Sequence, residues 1–208
     1  MTDSRSESAW PVPLRGVTET VVTTRGPNGK WNAAALGVHA GDDEREGDEG
    51  AAASARTWGR TRTRRNFERE GEGYVQFVHD PVVFARAAMC VVERPEPLLP
   101  EALAWAAVGV ERTDAGKEGE TPWVDWRLSV RDSAVVSESV PLINRGHAAV
   151  VEATVAASRL GVAAYDEEAL RERLDYFADV IERAGGERER EALGIVADHS
   201  DWSPGSVP

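Results

Sequence analysis

The sequence predicts an α+β protein: an antiparallel β-barrel over residues 14–140 followed by a helical subdomain over residues 141–195. Two observations predict it. Short runs rich in Val and Thr, punctuated by Gly, Pro, Asn and Asp, fill the first two-thirds of the chain and suggest about six strands. After Pro141 the apolar residues recur at helical spacing instead. Strands of this length with polar connections suit a barrel, because closure removes exposed sheet edges. The 208 residues suffice for one domain with a core, or for a domain with a small appendage.

The elements follow in order. Residues 1–13 are polar, carry no apolar signal-like core, and read as a disordered leader. "GVTETVVTT" (Gly16–Thr24) and "WNAAALGVHA" (Trp31–Ala40) flank the turn "RGPNGK" and predict a hairpin. Residues 41–55, "GDDEREGDEGAAASA", read as a solvated acidic insertion. "RTWGR" resumes a strand, "RTRRNFERE" turns into a short helix, and "GEGYVQFVHD" holds another strand. Asp80 then Pro81 open a helix, as cap and first helical residue. "ALAWAAVGVERTD" and "WVDWRLSVRDSAVV" read as two strands separated by the acidic loop "AGKEGETP". In the last third, Asn144–Gly161 carries Val150, Val151, Val155 and Leu160, with Gly161 as a stop. Asp166 caps the clearest helix, whose Leu170, Leu174, Phe177, Val180 and Ile181 share one face. "EREREALGIV" predicts a last short helix, and 196–208 a flexible tail.

Charge narrows the function. Asp and Glu number 36 against 24 basic residues, of which only Lys30 and Lys117 are lysine, for a net charge of −12. An acidic, lysine-poor surface suits concentrated salt, where screening relieves its self-repulsion. The same acidity argues against nucleic acid as a partner, since that binding depends on neutralising phosphates. No apolar run approaches the roughly 18–20 residues that span a bilayer, so the expectation is a cytoplasmic protein with no membrane partner. Cys90 is the single cysteine and lies in the apolar "FARAAMCVVE", where a buried, inert thiol is expected.

Side chains for catalysis are not grouped in the sequence. His39, His79, His147 and His199 have no metal-ligand spacing, and no metal site is expected. There is no Gly-x-Ser-x-Gly elbow, no Walker loop and no dinucleotide fingerprint. The exception is "GRTRTRRNFERE" (Gly59–Glu70), with five arginines in a strongly acidic chain. Thr61, Arg62, Thr63, Arg64, Arg65 and Asn66 sit where a strand gives way to a helix. Such a junction offers free N–H groups and a positive dipole end, to which arginine adds bidentate phosphate recognition. A single phosphate monoester fits; a solvated face paired with Glu68, Glu70 and Glu72 is the alternative. In "WNAAALGV", small Ala33, Ala34, Ala35 and Gly37 allow a planar ligand against the backbone, or simply pack in the strand. Arg145, His147, Glu152 and Arg159 interrupt an apolar helix and predict a buried or interfacial ion-pair network, the alternative being that Arg145 and His147, near the helix start, face a ligand; Glu19 predicts an ion pair with an arginine. Trp31, Trp58, Trp105, Trp123 and Trp126 are expected in the barrel core or a dimer interface.

The order of "ETVVTT", "WNAAALGV", "TRTRRN", "DPVVFARAA" and "INRGHAAVVEATVAASRL" resembles the FMN-binding split β-barrel of flavin-reductase-like proteins. The chain is most similar to an uncharacterised archaeal and bacterial family that joins this barrel to a C-terminal helical subdomain. The resemblance spans Gly16 to Ala184. It implies FMN as cofactor near a homodimer interface. Asn32, Ala33, Ala34, Ala35, Leu36 and Gly37 would line the isoalloxazine. Thr61, Arg62 and Thr63 would hold the phosphate, with added charge from Arg64 or Arg65 and with Asn66 closing the turn. The chain departs from the family in its long acidic insertion and in Gln76, which stands where an Asn is common. The implied function is an FMN-binding flavoprotein, possible as an oxidoreductase of unknown substrate and electron donor. A non-enzymatic flavin carrier or sensor, or a binder of another phosphorylated small molecule, is the alternative.

Overall fold

The computed structural model describes residues 9–41, 53–140 and 142–205. Most of the expected leader (1–8), most of the acidic insertion (42–52) and the end of the tail (206–208) lie outside the described residues. The chain divides into two compact units, Met1–Val78 with Glu93–Glu138 and His79–Val92 with Ser139–Pro208.

The first unit is a closed barrel. β1 (Val17–Arg25), β2 (Trp31–His39), β3 (Ala53–Trp58), β4 (Glu72–Val78), β6 (Ala102–Glu118) and β7 (Thr121–Val135) are its strands, and α1 (Arg62–Glu70) lies between β3 and β4. Around the ring the order is β1-β4-β6-β7-β3-β2, and the β1–β2 hairpin closes it. Every ladder around that ring is antiparallel. Alternate residues of each strand point inward: Val22, Leu36, Val38, Val75, Val108, Val124 and Leu128 fill the barrel. Phe67 of α1 joins them, its ring 5.3 Å from that of Trp126.

Three expectations about this unit change. Strand β3 begins at Ala53, inside the range assigned to the acidic insertion; Ala53 and Ala55 are buried and paired to β7. The loop expected at "AGKEGETP" is strand, because β6 and β7 pair through to Glu118↔Thr121 around Gly119 at φ +57°. Trp123 lies over Gly116, where a Cβ would come within 2.5 Å of the ring, so the small residue seats the large one. Of the five tryptophans, Trp126 is fully buried in the barrel, and Trp58 is 39% exposed. Residues 9–13 are not a free leader either: Trp10 packs edge-on against Phe77, and Ser133 Oγ donates to the Ala9 carbonyl at 2.8 Å.

The second unit is helical: α2 (Pro81–Met89), α3 (Arg145–Ala157), α4 (Glu167–Ala184) and α5 (Glu187–Asp198). Asp80 and Asp166 cap α2 and α4 as expected, each accepting from two backbone N–H groups. Val82, Ala85, Val150, Leu174, Ile181 and Val196 form the core. The barrel therefore does not run unbroken over 14–140, because α2 buries its apolar face in this helical core. Nor are the described residues of the expected tail, 196–205, loose: Val196 and Trp202 are buried, and the Trp202 indole donates to Asp175 at 2.9 Å. Glu152 and Arg159 do not form a buried network. Glu152 meets Arg173 at an exposed ion pair, and Arg159 lies over the Tyr165 ring.

Candidate functional site

The barrel is split along one seam. β1 pairs with β2 over its whole length, Trp31 to His39. On β2's other edge, among the described residues, β3 pairs only at Val38↔Ala55 and His39↔Ser54. From Gly37 toward Asn32 the two strands part, while β3 stays on β7 as far as Trp58↔Trp123. β3 leads through Gly59 into α1, so the helix start stands at the wide end of the opening. A three-residue strand, β5 (Val92–Arg94), is the second neighbour on that same edge of β2, since β1 holds the opposite edge throughout.

The predicted segments thus meet at one seam. Along β2, Asn32, Ala34 and Leu36 face the barrel interior with Val38, and Ala33, Ala35 and Gly37 face outward. Ala33, Ala34 and Ala35 leave the strand without bulky side chains. Gly37 stands opposite Glu19, and a Cβ there would meet Val17 at 3.0 Å and the Glu19 carboxylate at 3.5 Å. The small residue therefore accommodates β1 as well as keeping the seam clear.

At the other bank, Thr61 is the N-cap of α1 and accepts from the Arg64 N–H at 3.2 Å. The N–H groups of Arg62 and Thr63, in the first turn, have no intrahelical partner. Thr63 is buried beneath them. The arginines are partly engaged: Arg62 Nη1 meets Glu93 at 2.8 Å, and Arg64 meets Glu68 at 2.9 Å and the Gly59 carbonyl at 3.3 Å. Arg60 and Arg65 are exposed, with no ion-pair partner among the described residues. Asn66 is committed elsewhere. Its Nδ2 donates to Thr24 Oγ1 at 2.9 Å and its Oδ1 accepts from Arg69 at 3.0 Å, so it ties α1 to β1 beside Asn32.

Gln76 has a structural role. It is fully buried, donates to Thr23 Oγ1 and the Pro97 carbonyl, and accepts from the Leu99 N–H at 2.6 Å. This binds β4 to the crossing segment that follows β5. Sequence reasoning missed β5 and Glu93; three residues beside a Pro-rich turn carry no periodic signal. Among the described residues no group of three or more His, Cys, Asp or Glu is placed to hold a metal. Cys90 is half-buried, and burial pushes its thiol pKa up. Among the described residues no helix is long and apolar enough to cross a membrane.

Residues 18–137 match the family model "Protein of unknown function (DUF447) N-terminal domain", and residues 144–198 match the model "Protein of unknown function (DUF447)". Among solved structures, an FMN-bound DUF447 protein from Methanosarcina mazei is similar at 23% identity and a TM-score of 0.71, covering 89% of this chain and 96% of its own. That likeness establishes the fold. Nitrilotriacetate monooxygenase component B from Bacillus cereus is more distant, at 17% identity and a TM-score of 0.46 over 60% of this chain and 72% of its own. The styrene monooxygenase flavin reductase from Pseudomonas putida S12 stands at 10% and 0.42, over 61% and 93%. No curated protein matches the chain.

Proposed function

The chain belongs to the DUF447 family, and on that premise we propose that it is a flavoprotein that binds FMN in the split of its barrel. The observation that carries the reading is the parting of β2 from β3 at Gly37, with the start of α1 at the wide end. A planar ring fits against a strand of Ala33, Ala34, Ala35 and Gly37, along the edge that β3 leaves. A phosphate fits the first-turn N–H groups of Arg62 and Thr63, the Thr61 hydroxyl, and the Arg62 and Arg64 guanidinium groups. Asn66 holds the helix in place for this and does not itself face the phosphate. The FMN-bound relative supports the same ligand.

FMN, when bound, supplies electron and hydride transfer, and the protein supplies binding and orientation. An oxidoreductase role follows from that chemistry, with a donor and a substrate yet to be identified. The chain is also read as a homodimer. Val140, Leu142 and Ile143 support this, for Ile143 is 102% exposed and its neighbours 81% and 72%, an apolar strip suited to a partner.

The test is an absorbance spectrum of protein purified in high salt, followed by FMN titration. Flavin bands or saturable uptake are expected, with an Arg62→Ala/Thr63→Ala variant binding about 10–100-fold more weakly. A colourless protein that takes up no FMN would sink the reading. Oxidation of reduced nicotinamide by the loaded protein separates an enzyme from a carrier.

A further inference from the structure

Four arginines among the described residues are half-buried: Arg64, Arg94, Arg159 and Arg171. Three are satisfied. Arg64 pairs with Glu68, Arg171 with Glu167, and Arg159 lies over the Tyr165 ring. Arg94 is not. Its Nε is the single buried side-chain nitrogen or oxygen among the described residues that lacks a hydrogen-bond partner. A buried donor left unmade is costly, more so when it carries charge. In a chain with 36 carboxylates, a guanidinium half-withdrawn from water with no acid beside it needs an explanation.

Its position supplies one. Arg94 ends β5, on the edge of β2 that β3 abandons. β5 is held there by its neighbour: Glu93 accepts from Arg62 at 2.8 Å and from Asn28 at 3.1 Å. Adjacent strand residues point to opposite faces. Glu93 is therefore turned to the α1 start and the hairpin, and Arg94 to the other side of the seam.

We propose that Arg94 is a ligand-binding residue, its guanidinium donating to an acceptor oxygen of the flavin nucleotide seated along β2. The inference rests on the flavin reading above. Because Arg94 faces away from Arg62, the acceptor belongs to the ring or the ribityl chain and not to the phosphate at α1.

The experiment titrates wild-type, Arg94→Met and Arg94→Lys protein with FMN and with riboflavin, following flavin fluorescence, and records the melting temperature of each ligand-free protein. Met keeps the stem's apolar contacts and removes the orphan donor. The expected result is a loss of about tenfold or more in affinity for both flavins in Arg94→Met, partial recovery in Arg94→Lys, and a ligand-free melting temperature no lower than wild type. Unchanged affinity with a lowered melting temperature marks a structural arginine and overturns the inference, as does unchanged affinity alone. A loss confined to FMN overturns the ring assignment and places Arg94 on the phosphate. If wild-type protein binds neither flavin, the flavin reading itself fails, a result distinct from wild-type binding that Arg94→Met retains.

Discussion

At the scale of single residues, polar groups inside this protein act mostly as ties. Asn66 is expected beside the phosphate and Gln76 stands out as a departure from the family pattern, and both spend their hydrogen bonds on neighbouring strands and turns. Sequence could not show this, because Thr24 and Pro97 come near them only through the fold. His147 was legible as an odd polar residue at a helix start, but its partner was not. Its ring stacks on His79 at 5.3 Å and 16°, with Asp80, Arg188 and Glu189 around the pair. Burial first, and then His79, hold the His147 pKa below 6.5, against the pull of Glu189 and Asp80. The unfolded chain therefore binds a proton at His147 before the folded one does. Stability is fully present above about pH 6.5 and falls as the pH drops through that value toward the lower folded pKa. Melting temperature should decline between about pH 7.5 and pH 5.5, and His147→Gln should flatten that slope. An equal slope in the variant would assign it to other groups. Asp80 belongs to a separate, lower window. Burial opposes its ionisation, but hydrogen bonds from Arg188 and from the Val82 and Val83 N–H groups outweigh this, so its share is lost only below about pH 4.

At the scale of elements, caps and turns were legible and close approaches were not. Asp80-Pro81 and Asp166 announced two helices through elementary capping chemistry, and α2 and α4 begin where they said. The long β6–β7 hairpin was misread because Gly, Lys and Glu are poor strand formers. There the ladder and the Trp123–Gly116 contact override propensity. A second close approach is invisible in one dimension. Gly146, in the first turn of α3, meets Gly185 at the end of α4, and a Cβ on Gly146 would lie 2.5 Å from Gly185 Cα and 2.8 Å from its nitrogen. Both neighbours are backbone and cannot rotate aside. Gly146→Ala would normally favour a helix, yet here the clash should dominate and destabilise the protein by about 1–3 kcal/mol. Urea unfolding measures it, and a neutral or stabilised Gly146→Ala would mean that the α3–α4 junction yields easily.

For the whole molecule, the composition already held the main electrostatic fact, and the structure adds the term that opposes it. The excess of 36 acids over 24 bases leaves twelve net negative charges, whose mutual repulsion weakens as salt shortens the screening length from about 10 Å at 0.1 M to about 3 Å at 1 M. Against this stand the surface ion pairs, such as Arg56–Asp125, Arg131–Glu72 and Arg190–Glu182, which salt also screens. Pairs this exposed contribute roughly 0–1 kcal/mol each. Several are helical neighbours whose main competitor is water. Repulsion acts among all the surplus carboxylates at once, whereas each pair acts alone, so relief of repulsion should win. The melting temperature should rise by about 5 °C or more between about 0.1 M and 2 M sodium chloride. Chloride is the right choice because sulfate would stabilise almost any fold by exclusion from its surface. A flat or falling curve would mean that the ion pairs outweigh the surplus charge, and the acidity would then call for an explanation other than adaptation to salt.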